Sequence, residues 1–157
     1  MRQLIQIVGL VLALLPPVSA AAEPLNPRYA TVKVEPSKTS IYIGSVTLTP
    51  AGLVRKGMTY SGTYTAKVVP LFFYGEKGTI TLDVSEDQLH KLERGEPVDF
   101  TGRAQSDDGE FRRVEGRATP SDAAAGKIKV RIFVSKRIEL IFNTTYRFGE
   151  VSPAAKP

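Results

Sequence analysis

Apolar and polar residues alternate along most of the chain between residues 29 and 148. The alternation is clearest in KIKVRIFVSKRIELIFNTTYRF, residues 127–148, which ends on Tyr146 and Phe148. Successive side chains of a β-strand point to opposite faces, so a period of two predicts strands that are apolar on one face. We therefore expect most of the chain to form antiparallel β-strands.

Short clusters of Pro, Gly, Ser and Asp divide this region and are typical of turns. Examples are Pro50-Ala51-Gly52, the tetrapeptide at residues 75–78, and the tetrapeptide at residues 106–109. The strands predicted between such clusters are residues 29–34, 39–49, 57–69, 71–74, 79–84, 98–105 and 110–119, followed by a final hairpin at residues 127–148.

One short helix is predicted at residues 86–94. Ser85 precedes it at the N-cap and Gln88 follows at the third helical position, the spacing of a capping box. Gly95 then provides the residue that most often ends a helix. These signals predict a capped helix at one end of the β structure.

Together these elements predict an all-β fold. About eight to ten strands with one short helix indicate a small antiparallel β-barrel or sandwich. The domain is expected to cover residues 29–148. The flanking segments, residues 21–28 and 149–157, are rich in Pro and Ala and are predicted to be disordered.

The first twenty residues have the pattern of an export signal. Arg2 is followed by an apolar run at residues 4–15, and Val18-Ser19-Ala20 offers small residues for cleavage. We predict a signal peptide at residues 1–20 and a mature protein in the periplasm or outside the cell. The chain contains no Cys, so disulfide bonds and a lipid-modified cysteine are excluded.

The phase of the alternation predicts which residues form the core and which face outwards. The predicted core residues are Phe100, Val114, Val130, Ile132, Leu140 and Phe142. Basic residues fall out of phase with them and are expected on one exposed sheet surface. The candidate anion-binding residues are Arg103, Arg113, Arg117, Lys127, Lys129 and Arg131. The alternative is a solvated surface that binds nothing and whose charges keep the protein soluble and prevent pairing between strand edges.

Catalytic and metal-binding patterns are scarce in this sequence. His90 is the only histidine, which excludes sites built from several His or Cys ligands. Asp107, Asp108 and Glu110 cluster in a predicted hairpin turn, which explains these residues without a calcium ion. The sequence has no phosphate-binding glycine loop and no known hydrolase motif. We therefore predict no enzymatic activity, no cofactor and no bound metal.

The alternation alone fits two environments. The apolar face could meet lipid around a polar lumen, as in outer-membrane barrels, and the aromatic ending at Tyr146-Arg147-Phe148 resembles theirs. It could equally form a dry core beneath a charged exterior. Small residues on the apolar face, such as Gly116 and Ala118, suit close packing and favour a soluble barrel.

The sequence therefore predicts a non-enzymatic exported β-barrel module. Its ligand is expected to be an anionic or apolar envelope component, with an anionic glycan or a lipid headgroup as the partner of the basic surface. Nucleic acid is disfavoured, because no aromatic pair of the RNA-binding type accompanies the basic residues. A small outer-membrane barrel with a structural role is the alternative, and an unrecognised hydrolase is a third.

Overall fold

The computed structural model describes residues 26–151 and confirms the all-β fold with one short helix. The helix, α1, spans Glu86–Glu93. The strands are β1 (Thr31–Val34), β2 (Ser37–Ile41), β3 (Gly44–Pro50), β4 (Leu53–Lys56), β5 (Thr59–Val69), β6 (Glu76–Asp83), β7 (Val98–Ser106), β8 (Phe111–Pro120), β9 (Ala125–Phe133) and β10 (Glu139–Gly149). Two short 3-10 helices span Pro27–Tyr29 and Phe72–Tyr74.

The ten strands form a closed antiparallel barrel with eight strand positions. β1 and β2 occupy one position, and β3 and β4 occupy the next, because one continuous register joins them across a two-residue turn. Each later strand pairs with the strand before it, and β10 returns to pair with β1. Of the two architectures left open by the sequence, the structure is the barrel.

The predicted alternation separates the inside of the barrel from the outside. On β9, Ile128, Val130 and Ile132 are buried, while Lys129 and Arg131 between them are exposed. The predicted core residues Phe100, Val114, Val130, Ile132 and Phe142 are all buried, and Leu140 is partly buried against them. The apolar side chains thus face the interior, and the charged ones face outwards.

Gly116 allows the sheet to pack closely around Phe100. The two residues are direct partners across β7 and β8. A Cβ atom at position 116 would lie 2.1 Å from Cζ of the Phe100 ring, which is far inside van der Waals contact. The ring therefore occupies the space that a side chain at this position would need.

Helix α1 begins and ends as the sequence predicts. The Ser85 hydroxyl accepts a hydrogen bond from the backbone N–H of Gln88, whose side chain accepts one from the backbone of Ser85. The last helical residue is Glu93, one residue before the predicted end at Arg94, which is the C-cap; Gly95 follows with a φ of +81°. Leu89 and Leu92 are buried in the core, so the helix covers one end of the barrel, here called the helix end.

Two predicted elements were wrong. The single run at residues 39–49 is a hairpin, in which Tyr42 and Ile43 form the turn. Residues 71–74 form no strand, since Phe72–Tyr74 is a 3-10 helix after Pro70, and residues 76–78 belong to β6 instead of a turn. In both cases bulky apolar residues, which usually favour strands, lie in exposed connections.

The ends of the domain extend slightly beyond the predicted limits. Pro27 and Arg28, predicted to be disordered with residues 21–28, lie in a 3-10 helix capped by the Asn26 side chain. Gly149, predicted to begin the C-terminal tail, is the last residue of β10. The predicted signal peptide at residues 1–20, and residues 152–157 of the tail, lie outside the described residues.

We predict that Phe142→Ala lowers the free energy of unfolding by about 3–5 kcal/mol, because it leaves a cavity in the core. Phe142 is 1% exposed, whereas Phe111 is 64% exposed. Phe111→Ala is therefore the matched control and should change stability by less than about 0.5 kcal/mol. Urea unfolding measures both. Equal stability of the two variants would mean that the register of β10 is wrong by one residue.

We also predict that Ser85→Ala lowers the free energy of unfolding by about 1 kcal/mol, through loss of the N-cap hydrogen bond. Ser121→Ala is the control, because the Ser121 hydroxyl makes no hydrogen bond in the part of the chain that the structure describes. An unchanged urea midpoint for Ser85→Ala would show that the capping box does not stabilise α1.

Candidate anion-binding face

Six basic residues lie together on the outer surface of three neighbouring strands, β7, β8 and β9. All six side chains are exposed. We call this set the basic face; its members are Arg103, Arg113, Arg117, Lys127, Lys129 and Arg131. The outward positions of the same three strands carry two acidic residues, Asp99 and Glu115. The predicted residues are thus brought onto one surface with an excess of positive charge.

The strand register places like charges directly opposite each other on this face. Arg103 pairs with Arg113 across β7 and β8, and Arg117 pairs with Lys129 across β8 and β9. Like charges at directly opposed positions destabilise a sheet. An external anion between the two members of a pair would relieve this repulsion.

Neighbouring groups offset part of this repulsion. Arg117 donates hydrogen bonds to the Asp99 carboxylate at 3.0 and 3.1 Å. The Arg113 guanidinium lies 4.1 Å from the centre of the Phe133 ring and 3.5 Å from the Glu115 carboxylate. Lys129 and Arg131 form no ion pair with any of residues 26–151. Arg103 and Lys127 likewise form no ion pair within these residues, so four of the six cations are free to meet a ligand.

A groove of about 750 Å³ runs along the outer surface beside the basic face. Arg117, Lys129 and Arg131 line it, together with the acidic residues Asp83 and Asp99. Glu115, Thr101, Ser85 and Gln88 add polar atoms, and Met58 and Phe100 add apolar area. This lining can hold an extended polar ligand by ion pairs and hydrogen bonds. The remaining basic residues, Arg103, Arg113 and Lys127, lie outside the groove.

The barrel interior offers little room for a ligand. The two voids lined by interior side chains have volumes of about 20 and 40 Å³. A single water molecule needs roughly 10–15 Å³ measured in this way. Leu53, Tyr60, Val114 and Phe142 are among the side chains that fill the centre. The interior is therefore a packed core rather than a ligand cavity.

An ion pair closes the core at the end opposite α1, here called the loop end. Arg112 donates hydrogen bonds from Nη2 and Nε to the Glu76 carboxylate, at 2.6 and 3.1 Å to Oε2. Its Nη1 donates to the Val134 carbonyl at 3.2 Å, and the Tyr64 hydroxyl donates to Glu76. These contacts join β5, β6 and β8 to the connection that follows β9.

The environment of Glu76 favours its ionised form. Partial burial raises the pKa of this carboxyl, but the hydrogen bonds from Arg112 and Tyr64 outweigh that effect and leave the pKa below its ordinary value of 4.5. The same contacts raise the pKa of Arg112. The sequence contained a signal for this pair, because Glu76 and Arg112 share the inward phase of Ile80 and Val114.

The other residues considered for chemistry lie apart from the groove. His90 is exposed on α1, with Nδ1 3.1 Å from the Glu93 carboxylate, which also accepts a hydrogen bond from Tyr29. Asp107 and Asp108 lie in the turn after β7, at the loop end. Within residues 26–151, no group of three or more His, Asp or Glu side chains is arranged to hold a metal ion.

No family model matches this chain, and neither the curated proteins nor the solved structures contain a significant match to it. We therefore infer its function from the arrangement of its own residues. Among residues 26–151, the structure has no helix with the length and apolar character needed to cross a membrane.

We predict that Glu76→Gln lowers the free energy of unfolding at neutral pH by about 2 kcal/mol, because it leaves Arg112 partly buried without a counter-charge. Since the folded-state pKa of Glu76 is lowered, its contribution is present above pH 4.5 and is lost as the pH falls further. Wild-type stability should therefore drop on acidification more steeply than that of Glu76→Gln.

The control for this prediction is Glu115→Gln, which removes a more exposed carboxylate at 3.5 Å from its cation. Surface pairs of this kind contribute less than about 1 kcal/mol, so this variant should resemble the wild type at both pH values. Urea unfolding at pH 7 and pH 3.5 provides the comparison. If the wild type, Glu76→Gln and Glu115→Gln lost equal unfolding free energy on acidification, Glu76 would not be the source of the pH dependence.

Proposed function

We propose that this protein is a non-enzymatic exported β-barrel module that binds an anionic envelope ligand through its basic face. The observation that carries the proposal is the placement of like charges in direct opposition, Arg103 with Arg113 and Arg117 with Lys129. A bound anion relieves the repulsion within each pair, so ligand binding and local stability are coupled. The groove lined by Arg117 and Lys129 supplies the concave surface.

The spacing of the cations favours a ligand that carries repeated negative charges. Opposed residues on adjacent strands are about 5 Å apart, and alternate residues along one strand are about 7 Å apart. Lys129 and Arg131 provide the second spacing, and Arg117 with Lys129 the first. Carboxylate, sulfate or phosphate groups of a glycan chain fit this arrangement. A single lipid headgroup uses the same chemistry at one pair.

The orientation of the strands supports a barrel surrounded by water. Lys127, Lys129 and Arg131 point outwards from β9, while Ile128 and Val130 point into the core. An outer-membrane barrel has the opposite arrangement, with apolar residues facing lipid. Placing these charges in the hydrocarbon region would be strongly unfavourable. The same orientation exposes the basic face to a ligand in the periplasm or outside the cell.

We predict that replacing Lys129 and Arg131 together with Gln weakens binding to immobilised heparin by about tenfold or more at low salt, at roughly 1 kcal/mol for each lost charge. Neither side chain forms an ion pair within residues 26–151, so the fold should be unaffected. Wild-type retention should also fall as salt rises, because exposed charges are screened.

The matched control replaces Lys38 and Lys67 with Gln. These exposed lysines of β2 and β5 lie on either side of β3, across the barrel from β8, and neither forms an ion pair within residues 26–151. The control loses the same charge and should keep most of its retention. Equal loss in both variants would mean that net charge alone causes retention, and negligible retention of the wild type would overturn the proposal. Elution from heparin by soluble glycerol phosphate would indicate a headgroup, and elution by free sulfated glycan alone would indicate a glycan.

A further inference from the structure

Exposed apolar side chains are concentrated at the loop end of the barrel. Of the large apolar residues that are exposed within residues 26–151, those at or next to the four connections of this end are Tyr42, Ile43, Val69, Phe72, Phe73, Tyr74, Phe111 and Ile138. The others are Val54, Met58 and Val151. The asymmetry indicates that the two ends of the barrel meet different surroundings.

Five of these residues form two neighbouring projections, which we call the apolar tips: Tyr42, Ile43, Phe72, Phe73 and Tyr74. The first two form the turn between β2 and β3, and the other three form the 3-10 helix between β5 and β6. Tyr42 is fully exposed, and Phe72 and Phe73 are 73% and 79% exposed. Their side chains are therefore not part of the core.

The tips are held in defined positions. At Gly44, with a φ of +148°, a Cβ atom would lie 1.9 Å from the Val69 carbonyl oxygen and 2.9 Å from Cδ of Pro70. The turn at residues 42–43 is thus packed against the start of the second tip. Backbone hydrogen bonds from Tyr74 to Leu71 and from Gly75 to Phe72 close the 3-10 helix. The backbone of the two connections therefore holds these side chains in positions that are exposed to solvent.

The charges around the tips define the kind of surface they fit. Residues 41–44 and 68–75 contain no charged side chain. Just below them, Lys38, Lys67 and Lys77 lie on β2, β5 and β6, and they form no ion pair with any residue that the structure describes. Lys38 and Lys67 both pair with Thr47, on either side of β3, so they share one outward row. An uncharged projection above a row of lysines matches the profile of a lipid interface.

We propose that the apolar tips insert into the surface of a phospholipid bilayer that contains anionic lipids. Phe and Tyr side chains can enter the headgroup region, where the ring is apolar and the phenol hydroxyl of Tyr42 or Tyr74 stays hydrated. Lys38 and Lys67 then lie at the depth of the anionic headgroups. A fluid bilayer accommodates separate projections, whereas a folded partner would need a matching set of pockets.

The acidic turn beside the tips sets the orientation of the barrel. Asp107 and Asp108 lie in the connection between β7 and β8, the next one around the loop end. Anionic headgroups repel these carboxylates, so the barrel is expected to tilt towards β2–β5 and keep the acidic turn in water. In that orientation β7, β8 and β9 face away from the membrane, and the basic face remains accessible.

A single tryptophan tests insertion directly, because the chain contains none. Phe73→Trp should show a blue shift of its emission when phosphatidylcholine vesicles containing phosphatidylglycerol are added. Met58→Trp is the control, since Met58 is 66% exposed at the helix end, and its emission should not shift. The absence of a shift for Phe73→Trp, or equal shifts for both variants, would overturn the proposal.

Sedimentation with vesicles separates this proposal from binding by the basic face. Replacing Phe72 and Phe73 together with Ser should lower vesicle binding at least about tenfold, given the transfer energy of two aromatic rings, and leave thermal unfolding unchanged. The Lys129 and Arg131 double Gln variant should still bind vesicles. If the Lys129 and Arg131 variant lost vesicle binding and the Phe72 and Phe73 variant kept it, the vesicles would bind to the basic face. That result would overturn the role of the tips.

The remaining alternative is that a second copy of the chain covers the apolar tips. If the tips cover a second copy of the chain, sedimentation velocity should show a concentration-dependent dimer that the Phe72 and Phe73 double Ser variant abolishes. That outcome, together with unchanged vesicle binding by the variant, would overturn the membrane proposal. A monomeric wild-type protein that binds vesicles through Phe72 and Phe73 supports it.

Discussion

Pairing between the first and last strands closes the barrel, and each surface of the molecule depends on this closure. β1 lies against β10 in an antiparallel register that begins with Thr31 opposite Gly149. A closed barrel has no free strand edge, so every strand has one inner and one outer face. Because side chains alternate between these faces, the same register places Val34 and Tyr146 in the core and Lys33 outside.

Closure also leaves the interior filled, which is why both proposed binding surfaces lie on the exterior. Leu89 and Leu92 of α1 cover the helix end, and the pair of Glu76 and Arg112 covers the loop end. Between them the apolar side chains leave only small voids. The pairing order then separates two outer surfaces, since the basic face lies on β7–β9 and the apolar tips follow β2 and β5. The proposed ligand site on the side of the barrel and the proposed lipid contact at one end are therefore separate surfaces.

The sequence by itself determined the features that depend on local periodicity. Alternation with a period of two identified most strands and the buried phase, including Val114 and Phe142. The capping box identified α1 to within one residue, because a cap uses backbone groups only three positions apart. The outward phase of the six basic residues was also predicted, since Lys129 and its companions are out of phase with the core. Local spacing is enough for each of these.

Only the tertiary structure decided how the strands close into a barrel and which residues lie at the two ends of that barrel. A barrel and a sandwich have the same alternation, and the difference lies in the pairing of β1 with β10, which are distant in sequence. The residues of the tips, such as Phe72 and Tyr42, have high strand propensity, and only the register of β3 and β5 shows that they form connections. Likewise Glu76 and Arg112 meet because β6 and β8 lie on either side of β7 and both side chains point into the barrel. Such contacts depend on non-local geometry, which local sequence patterns do not encode.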